Sequence, residues 1–508
     1  MPLRLEWEPW YSTTEELVPG ARVRVRLAGH EYVAVVSSIG GTPDIAPGKI
    51  QPISGIEERL EAISPEEIRF WRFIADYYLC TVGEVYKAVY PASRTAAEER
   101  KSRKSADECD SGRRKALTAE QKNALIQILD GFAEHRSVLL HGPGRESIYT
   151  ELCRRCMDAG KDVLLLRAGA AKPGYVAQRE LAKAVRSPQP TLVEGHRSNI
   201  FLPFSKLGLV IVDDEESPSY KQNSGAPRYQ TRDAAIALAA MHGADVLLGS
   251  DAPSLESVHN AACGKYLSVS LPSTDNCVIP EIIDTDAEVR KNGMLGALSR
   301  KMIDAVTSAK DAKERVLVLS PWNNFTETEY RFRQQIRDNR FDFNSLSKIN
   351  SIRFGKYGVV VIMNAETLLD NGDFRADEKA FRTFRSIAKA CTGRLVIQCR
   401  NASHPVFAAL SAGVSDISQQ LLAERISFGY PPQTRLIEIR INDKNEARLA
   451  KMSAELSRCL GGLQFFLPKD RQLAHSKREI ARKVREFEES RRYRGHIIID
   501  VDPNNSTI

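Results

Sequence analysis

The stretch Val138–Leu152, "VLLHGPGRESIYTEL", runs from an apolar strand through a glycine-bearing loop into a helix-like segment. That order builds a phosphate cradle, in which backbone N–H groups and a helix N-terminus face an anion. The Lys-Ser/Thr pair such a loop carries at its end is missing, and Gly144 is followed by Arg145 and Glu146.

On either side, short apolar runs alternate with helical segments: "SVLLH" (137–141), "DVLLLR" (162–167), "LGLVIV" (207–212) and "DVLLG" (245–249). Runs apolar on both faces and separated by helices predict a parallel sheet covered on both sides. The pattern returns at "RVLVLS" (315–320), "YGVVVIM" (357–363) and "RLVIQC" (394–399), so two successive α/β units are expected. Ahead of the first strand, Thr118 and Gln121 stand at capping-box spacing, although a Gln before a phosphate loop can also contact adenine. "LVIVDDEE" (209–216) ends a strand in four carboxylates, at the edge where open α/β sheets place ligands. In phosphoryl-transfer enzymes one Asp there holds Mg²⁺ and a neighbour orients water. A solvated acidic turn is the plainer alternative. "LLGSDAPSLES" (247–257), taken singly, is an ordinary strand-to-helix turn.

Residues 1–92 read as a small domain. In "ARVRVRLAG" (21–29), period-2 alternation puts Arg22, Arg24 and Arg26 on one face and Val23, Val25 and Leu27 on the other. Ser64, Pro65 and Glu67 start a helix with a capping box, and Ile68, Trp71, Ile74 and Tyr78 follow as a core stripe. Residues 93–115 are polar, dense in charge and read as a linker. From about Leu421 the pattern becomes α+β, with a helix near 445–460, a basic helix at 476–492 and a final strand, "HIIIDVD".

The 508 residues are 42% hydrophobic and 27% charged, which excludes wholesale disorder, and the net charge of +7 is a mild bias toward polyanions. No apolar run approaches the roughly 20 residues a bilayer demands, and "MPLRLEWEPW" lacks a signal core, so a cytoplasmic location without membrane contact is expected. Of nine cysteines, only Cys153 and Cys156 have CxxC spacing, and no second pair follows, which favours reduced thiols on a helix over zinc.

"GHRSNIFLPFSKLGLVIVDDEESPSYKQNSGAPRYQTRDAAIALA" and "VLLGSDAPSLES" together resemble the core of the primosomal protein N′ (PriA) family, superfamily 2 helicases of bacterial replication restart. Tyr220, Lys221, Gln222, Arg228, Tyr229, Arg232 and Asp233 stand in that family's SYKQ and RYxxRD positions. "FIADYYLCTVGEVYKAVYPA", "LLAERISFGYPPQTRL" and "IDVDP" extend the resemblance toward both ends. It implies an α/β multidomain chain: a β-rich N-terminal domain binding DNA 3′ ends (1–92), the linker, two RecA-like parallel-sheet lobes (116–275 and 276–420) and an α+β C-terminal domain (421–508).

The departures bear on activity. The family loop GxTGSGKTE is shortened, with Arg145 and Glu146 in place of Lys-Thr. Asp213 is kept, but Asp214 replaces the catalytic Glu, Glu216 the His, and Asp251-Ala252 an Ala-Thr pair. "SIAKACTG" (386–393) lacks both finger arginines, and no cysteine occurs from Arg315 to Ala390, where the family binds zinc. Gly142, Gly144, Arg145, Asp213 and Asp214 are therefore read as a vestigial nucleotide site with no catalytic residue. No cofactor is firmly implied; ATP and Mg²⁺ are doubtful and zinc is expected absent.

DNA contact is expected from Arg22, Arg24, Arg26, Lys221, Arg228, Arg232, Lys477, Arg478 and Arg482. The expected function is recognition of branched or forked DNA with single-stranded segments, together with recruitment of primosome proteins or the replicative helicase, without unwinding. The alternatives are a weak ATP-dependent 3′–5′ helicase and a scaffold that does not bind DNA.

Overall fold

The computed structural model describes residues 1–43, 45–90, 116–272, 277–295, 298–321, 326–336, 341–369, 372–412, 416–493 and 496–506; the expected linker at 93–115 lies outside them. The chain divides into two units, Met1–Pro272 with Pro431–Asn504, and Ser273–Tyr430 with Asn505–Ile508.

The first unit begins with an antiparallel sheet of β1 (Arg22–Leu27), β2 (His30–Val35) and β3 (Gly55–Ile56), in the order β2-β1-β3. Alternation along β1 buries Val23 and Val25 and turns Arg24 and Arg26 to solvent. Helix α1 (Pro65–Tyr78) opens with a complete Ser64/Glu67 capping box and Pro65 at its first position. It buries Ile68, Trp71, Ile74 and Tyr78, and α2 (Val82–Val89) packs beside it.

A six-stranded parallel sheet follows, built from β4 (Ser137–His141), β5 (Asp162–Leu166), β6 (Leu192–Gly195), β7 (Leu207–Val212), β8 (Asp245–Ser250) and β9 (Tyr266–Ser270) in the order β9-β4-β8-β7-β5-β6. Its helices include α3 (Ala119–Ala133), α4 (Arg145–Asp158), α5 (Tyr175–Arg186) and α6 (Thr231–His242). Alternate strand residues feed two cores. Val138, Leu140, Val163, Leu165, Leu209 and Ile211 face one way. Leu139, Leu164, Leu166, Val210 and Val212 face the other, where they share a cluster with Trp71 and Ile74 of α1.

The second unit holds a five-stranded parallel sheet of β10 (Glu281–Asp284), β11 (Val316–Ser320), β12 (Phe341–Ser345), β13 (Val359–Ile362) and β14 (Arg394–Cys399), ordered β10-β14-β13-β11-β12. It also contains α7 (Ala376–Ala390) and α8 (Ser418–Ser427), which pack on each other. The chain then rejoins the first unit through β15 (Thr434–Ile441), α9 (Glu446–Leu460), β16 (Gln464–Pro468), α10 (Leu473–Ser490) and β17 (Ile497–Val501). These strands form an antiparallel sheet, β16-β15-β17, and its Ile437, Ile439 and Val501, with Val484 of α10, belong to the same apolar cluster as α1. Among the described residues, no helix is long and apolar enough to cross a membrane.

Candidate functional site

The order β4-β8-β7-β5 brings the C-terminal ends of four strands side by side. Each end delivers a charged group: Arg145 after β4, Asp251 after β8, Asp213 and Asp214 after β7, and Arg167 after β5. The strand, loop and helix read from the sequence are present, with only Gly142, Pro143 and Gly144 between β4 and α4. Gly142 has φ +112°, and a Cβ there would lie 2.5 Å from the Leu271 carbonyl oxygen. Its N–H is already donated to the Ser250 carbonyl at 3.0 Å, and Pro143 has none to offer. The Gly144 carbonyl accepts from Gln121 Nε2 at 2.9 Å. Gln121 also completes the capping box with Thr118, so its amide braces the loop.

The Arg145 guanidinium occupies the centre of this arrangement. Its Nη2 donates to Asp213 Oδ1 at 3.1 Å and to Asp214 Oδ1 at 3.0 Å. Its Nη1 donates to the Gly142 carbonyl at 2.8 Å and to the Asp251 carboxylate. Its Nε donates to the Tyr149 hydroxyl at 3.0 Å, and that hydroxyl donates to Asp213 Oδ1 at 2.8 Å. Only 11% of the Arg145 side chain is exposed. Burial opposes its charge, but Tyr149, Asp213 and Asp251 outweigh burial and hold the guanidinium above its usual range. Asp214 is shifted up by burial first and by the neighbouring Asp213 second.

Arg167 closes the other side. It donates to Asp213 Oδ2 at 3.0 Å, to Glu146 Oε2 at 2.8 Å and to Glu194 Oε1 at 2.7 Å. Of the remaining carboxylates in "DDEE", the fully buried Glu215 accepts from Arg232 and from the Ser254 N–H and hydroxyl. Glu216 accepts from Ser250 Oγ at 2.6 Å. Sequence reasoning singled out neither Arg167 nor Tyr149 as part of this site. Tyr149 left one signal, since a Cβ on Gly249 would lie 1.7 Å from its hydroxyl, so the strand-end glycine and the tyrosine require each other.

These residues do not fit a nucleoside triphosphate with Mg²⁺. The carboxylates that would ligate the metal are held by Arg145 and Arg167. The loop has one N–H spent and one missing. Among the described residues, no group of three or more His, Cys, Asp or Glu is arranged to hold a metal ion. Cys153 faces the core from α4, and burial pushes its thiol up to about 12.

The cations expected to contact DNA separate into two sets. Arg24 and Arg26 are exposed on β1, and Arg26 lies 4.0 Å from Glu31. Arg478 and Arg482 are exposed but paired, with Asp76 at 2.9 Å and with Glu486 at 2.6 Å. The others turn inward, contrary to expectation. Arg22 is covered by rings: it donates to the Tyr86 hydroxyl at 3.1 Å and lies 4.2 Å from the Tyr90 ring centre. Lys221 is buried against Asp500 at 2.8 Å and donates to the Val501 carbonyl. Arg228 donates to the Asn223 carbonyl and lies 3.6 Å from Asp500. Arg232 is buried on Glu215, and Lys477 donates to the Tyr77 carbonyl at 2.6 Å. Much of the basic helix is thus a seam between α10 and the N-terminal segment, reinforced by Arg485–Glu6 and Arg4–Glu488.

A family model for the PriA 3′ DNA-binding domain (3′BD) matches residues 7–91, which include β1 and its exposed arginines. The replication restart protein PriA of Rickettsia felis is 28% identical over 280 residues, covering 51% of this chain and 43% of that protein. That of Bacillus subtilis is 31% identical over 236 residues, covering 40% and 29%. The chain is thus similar to PriA proteins over about half its length. It spans less than half the length of these two relatives. A solved structure of RecG bound to a three-way DNA junction is similar at a TM-score of 0.35 and 11% identity, over 62% of this chain and 50% of that one. Likeness at that level adds nothing to the fold described above.

Proposed function

We propose that this chain binds branched or forked DNA with single-stranded segments during replication restart, and promotes assembly of a primosome or loading of the replicative helicase without hydrolysing ATP. One observation carries the proposal: the Arg145 guanidinium lies among Asp213, Asp214 and Asp251, where a working phosphate loop keeps room for Mg²⁺ and phosphate. The match of residues 7–91 to a DNA 3′-end-binding domain supports the DNA half of the reading. The outward Arg24 and Arg26 supply cations for phosphate contact, which positions a protein on DNA without reading bases.

The test is fork-DNA binding by fluorescence anisotropy across a salt series, with and without ATP–Mg²⁺, with phosphate release scored in the same tube. The expected result is salt-sensitive binding that ATP leaves unchanged and no phosphate released above a protein-free control. DNA-stimulated phosphate release that vanishes in Asp213→Ala would overturn the claim that the motor is silent. Loss of fork binding even at low salt would overturn the claim of DNA recognition.

A further inference from the structure

The second unit carries an aromatic ladder that the reading above does not use. Helix α8 ends in a Schellman cap: the Gly429 N–H donates to the Ile426 carbonyl at 3.1 Å and the Tyr430 N–H to the Arg425 carbonyl at 2.9 Å. Gly429 has φ +67°, a conformation that side chains resist, and the turn places Phe428 and Tyr430 side by side. Their rings are stacked with centres 5.7 Å apart and planes 23° apart. Tyr430 in turn packs on Phe374 at 5.2 Å. Two guanidinium groups attend Phe374, Arg375 at 4.2 Å and Arg425 at 5.2 Å from its centre. The buried Arg425 is fixed by the buried Glu378, so the base of the ladder is rigid.

The top of the ladder is exposed. Phe428 leaves 64% of its surface in solvent, so its outer face is open to a ligand. A protein partner would call for an apolar patch of several hundred Å². Here one ring stands out, at the end of a stack whose base carries two guanidinium groups. Helix α7, which follows Phe374 and Arg375 directly, carries Lys379, Arg382, Arg385 and Lys389, of which Lys379 pairs with Asp373 and Arg382 with Glu378. A flat π-face at the open end of an aromatic stack suits an unpaired nucleobase.

We propose that Phe428, supported by Tyr430 and Phe374, is a stacking platform for an unpaired base of single-stranded DNA. The proposal rests on the reading of the chain as a DNA-binding protein and adds to it the site that prefers single strands. The full chain is titrated with a fork bearing a single-stranded arm and with a blunt duplex of equal length. Phe428→Ala weakens fork binding by about 5- to 150-fold, the range for removing one base stack. It leaves duplex binding unchanged, and Phe428→Trp restores the fork affinity. In Phe428→Trp, added oligo(dT) also quenches the component of tryptophan emission that the wild type lacks. Fork binding by Phe428→Ala equal to wild type, or an equal loss on both DNAs, overturns the platform while leaving DNA recognition intact. Failure of the wild type to bind either DNA overturns both.

Discussion

The loop after β4 and the outer face of β1 are both built on arginine. In the loop, one guanidinium meets three aspartates, a tyrosine hydroxyl and a backbone carbonyl, and 11% of its side chain sees solvent. On β1 the Arg26 side chain is 72% exposed, and its nearest carboxylate lies 4.0 Å away. The loop arginine is spent on holding three strand ends together, and the strand arginines remain available to an outside anion. The residue type is the same in both places. What differs is how many oxygens the fold has already supplied, and that decides whether a cation is structure or interface.

The contrast breaks most visibly at Arg145. Arg145→Ala leaves Asp213, Asp214 and Asp251 facing one another with their shared cation removed, and should cost about 3–5 kcal/mol, the range for breaking a buried pair by removing one partner. Thermal unfolding followed by circular dichroism reads this as a fall in Tm, with Arg145→Lys falling between, because an ammonium cannot span all three carboxylates. An unchanged Tm would mean the loop arginine is as idle as a surface one.

Lys477 tests the same contrast at the seam of α10. Burial lowers its pKa to about 8, with the nearby Arg435 adding to the effect, against an ordinary value of 10.5. The unfolded chain then binds more protons than the folded one between about pH 8 and 10.5, so this lysine makes stability rise with pH across that window. Lys477→Met should flatten that rise in urea midpoints, measured against wild type at each pH. A wild-type slope no steeper than that of the variant would place the ammonium in water.

The smallest effects on stability belong to the outward set. Arg24→Ala with Arg26→Ala should leave Tm unchanged, weaken fork binding, and reduce the slope of log K against log salt by about 0.9 for each phosphate no longer neutralised. Arg482→Ala, which removes an exposed pair with Glu486, should change neither Tm nor fork affinity measurably. If it weakens fork binding as the β1 pair does, the helix is an interface after all.

The central strands of both parallel sheets are legible as continuous apolar runs, because they are buried on both faces. β6, β9, β10 and β12 are not, and these four are the edge strands. "LVEG", "YLSVS", "EIID" and "FDFNS" mix polar with apolar residues, which an edge position tolerates. The capping boxes at Ser64 and Thr118 are local and readable in full. The cradle is legible as a departure from a working motif, since the missing lysine and the substituted carboxylates stand in the sequence. That Arg145 fills the site is not legible, because its partners come from other strand ends. The basic helix misleads for the same reason: periodicity gives the charged face of α10, whereas Tyr77, Asp76 and Glu6, which receive its cations, lie some 400 residues earlier or more.

The buried pair of Lys221 with Asp500 has a consequence during synthesis. One half of the pair follows the "DDEE" turn and the other sits on the last strand, so the first unit cannot complete its interior until β17 has left the ribosome. The chain between Pro272 and Val501 is 229 residues long. At about 5–20 residues per second, its translation takes roughly 10–45 s. Throughout that interval the six-stranded sheet exists without the partner that neutralises its innermost lysine. The nascent protein therefore spends most of a minute at the slower rate as a half-closed body, and that is the period in which a chaperone would find it.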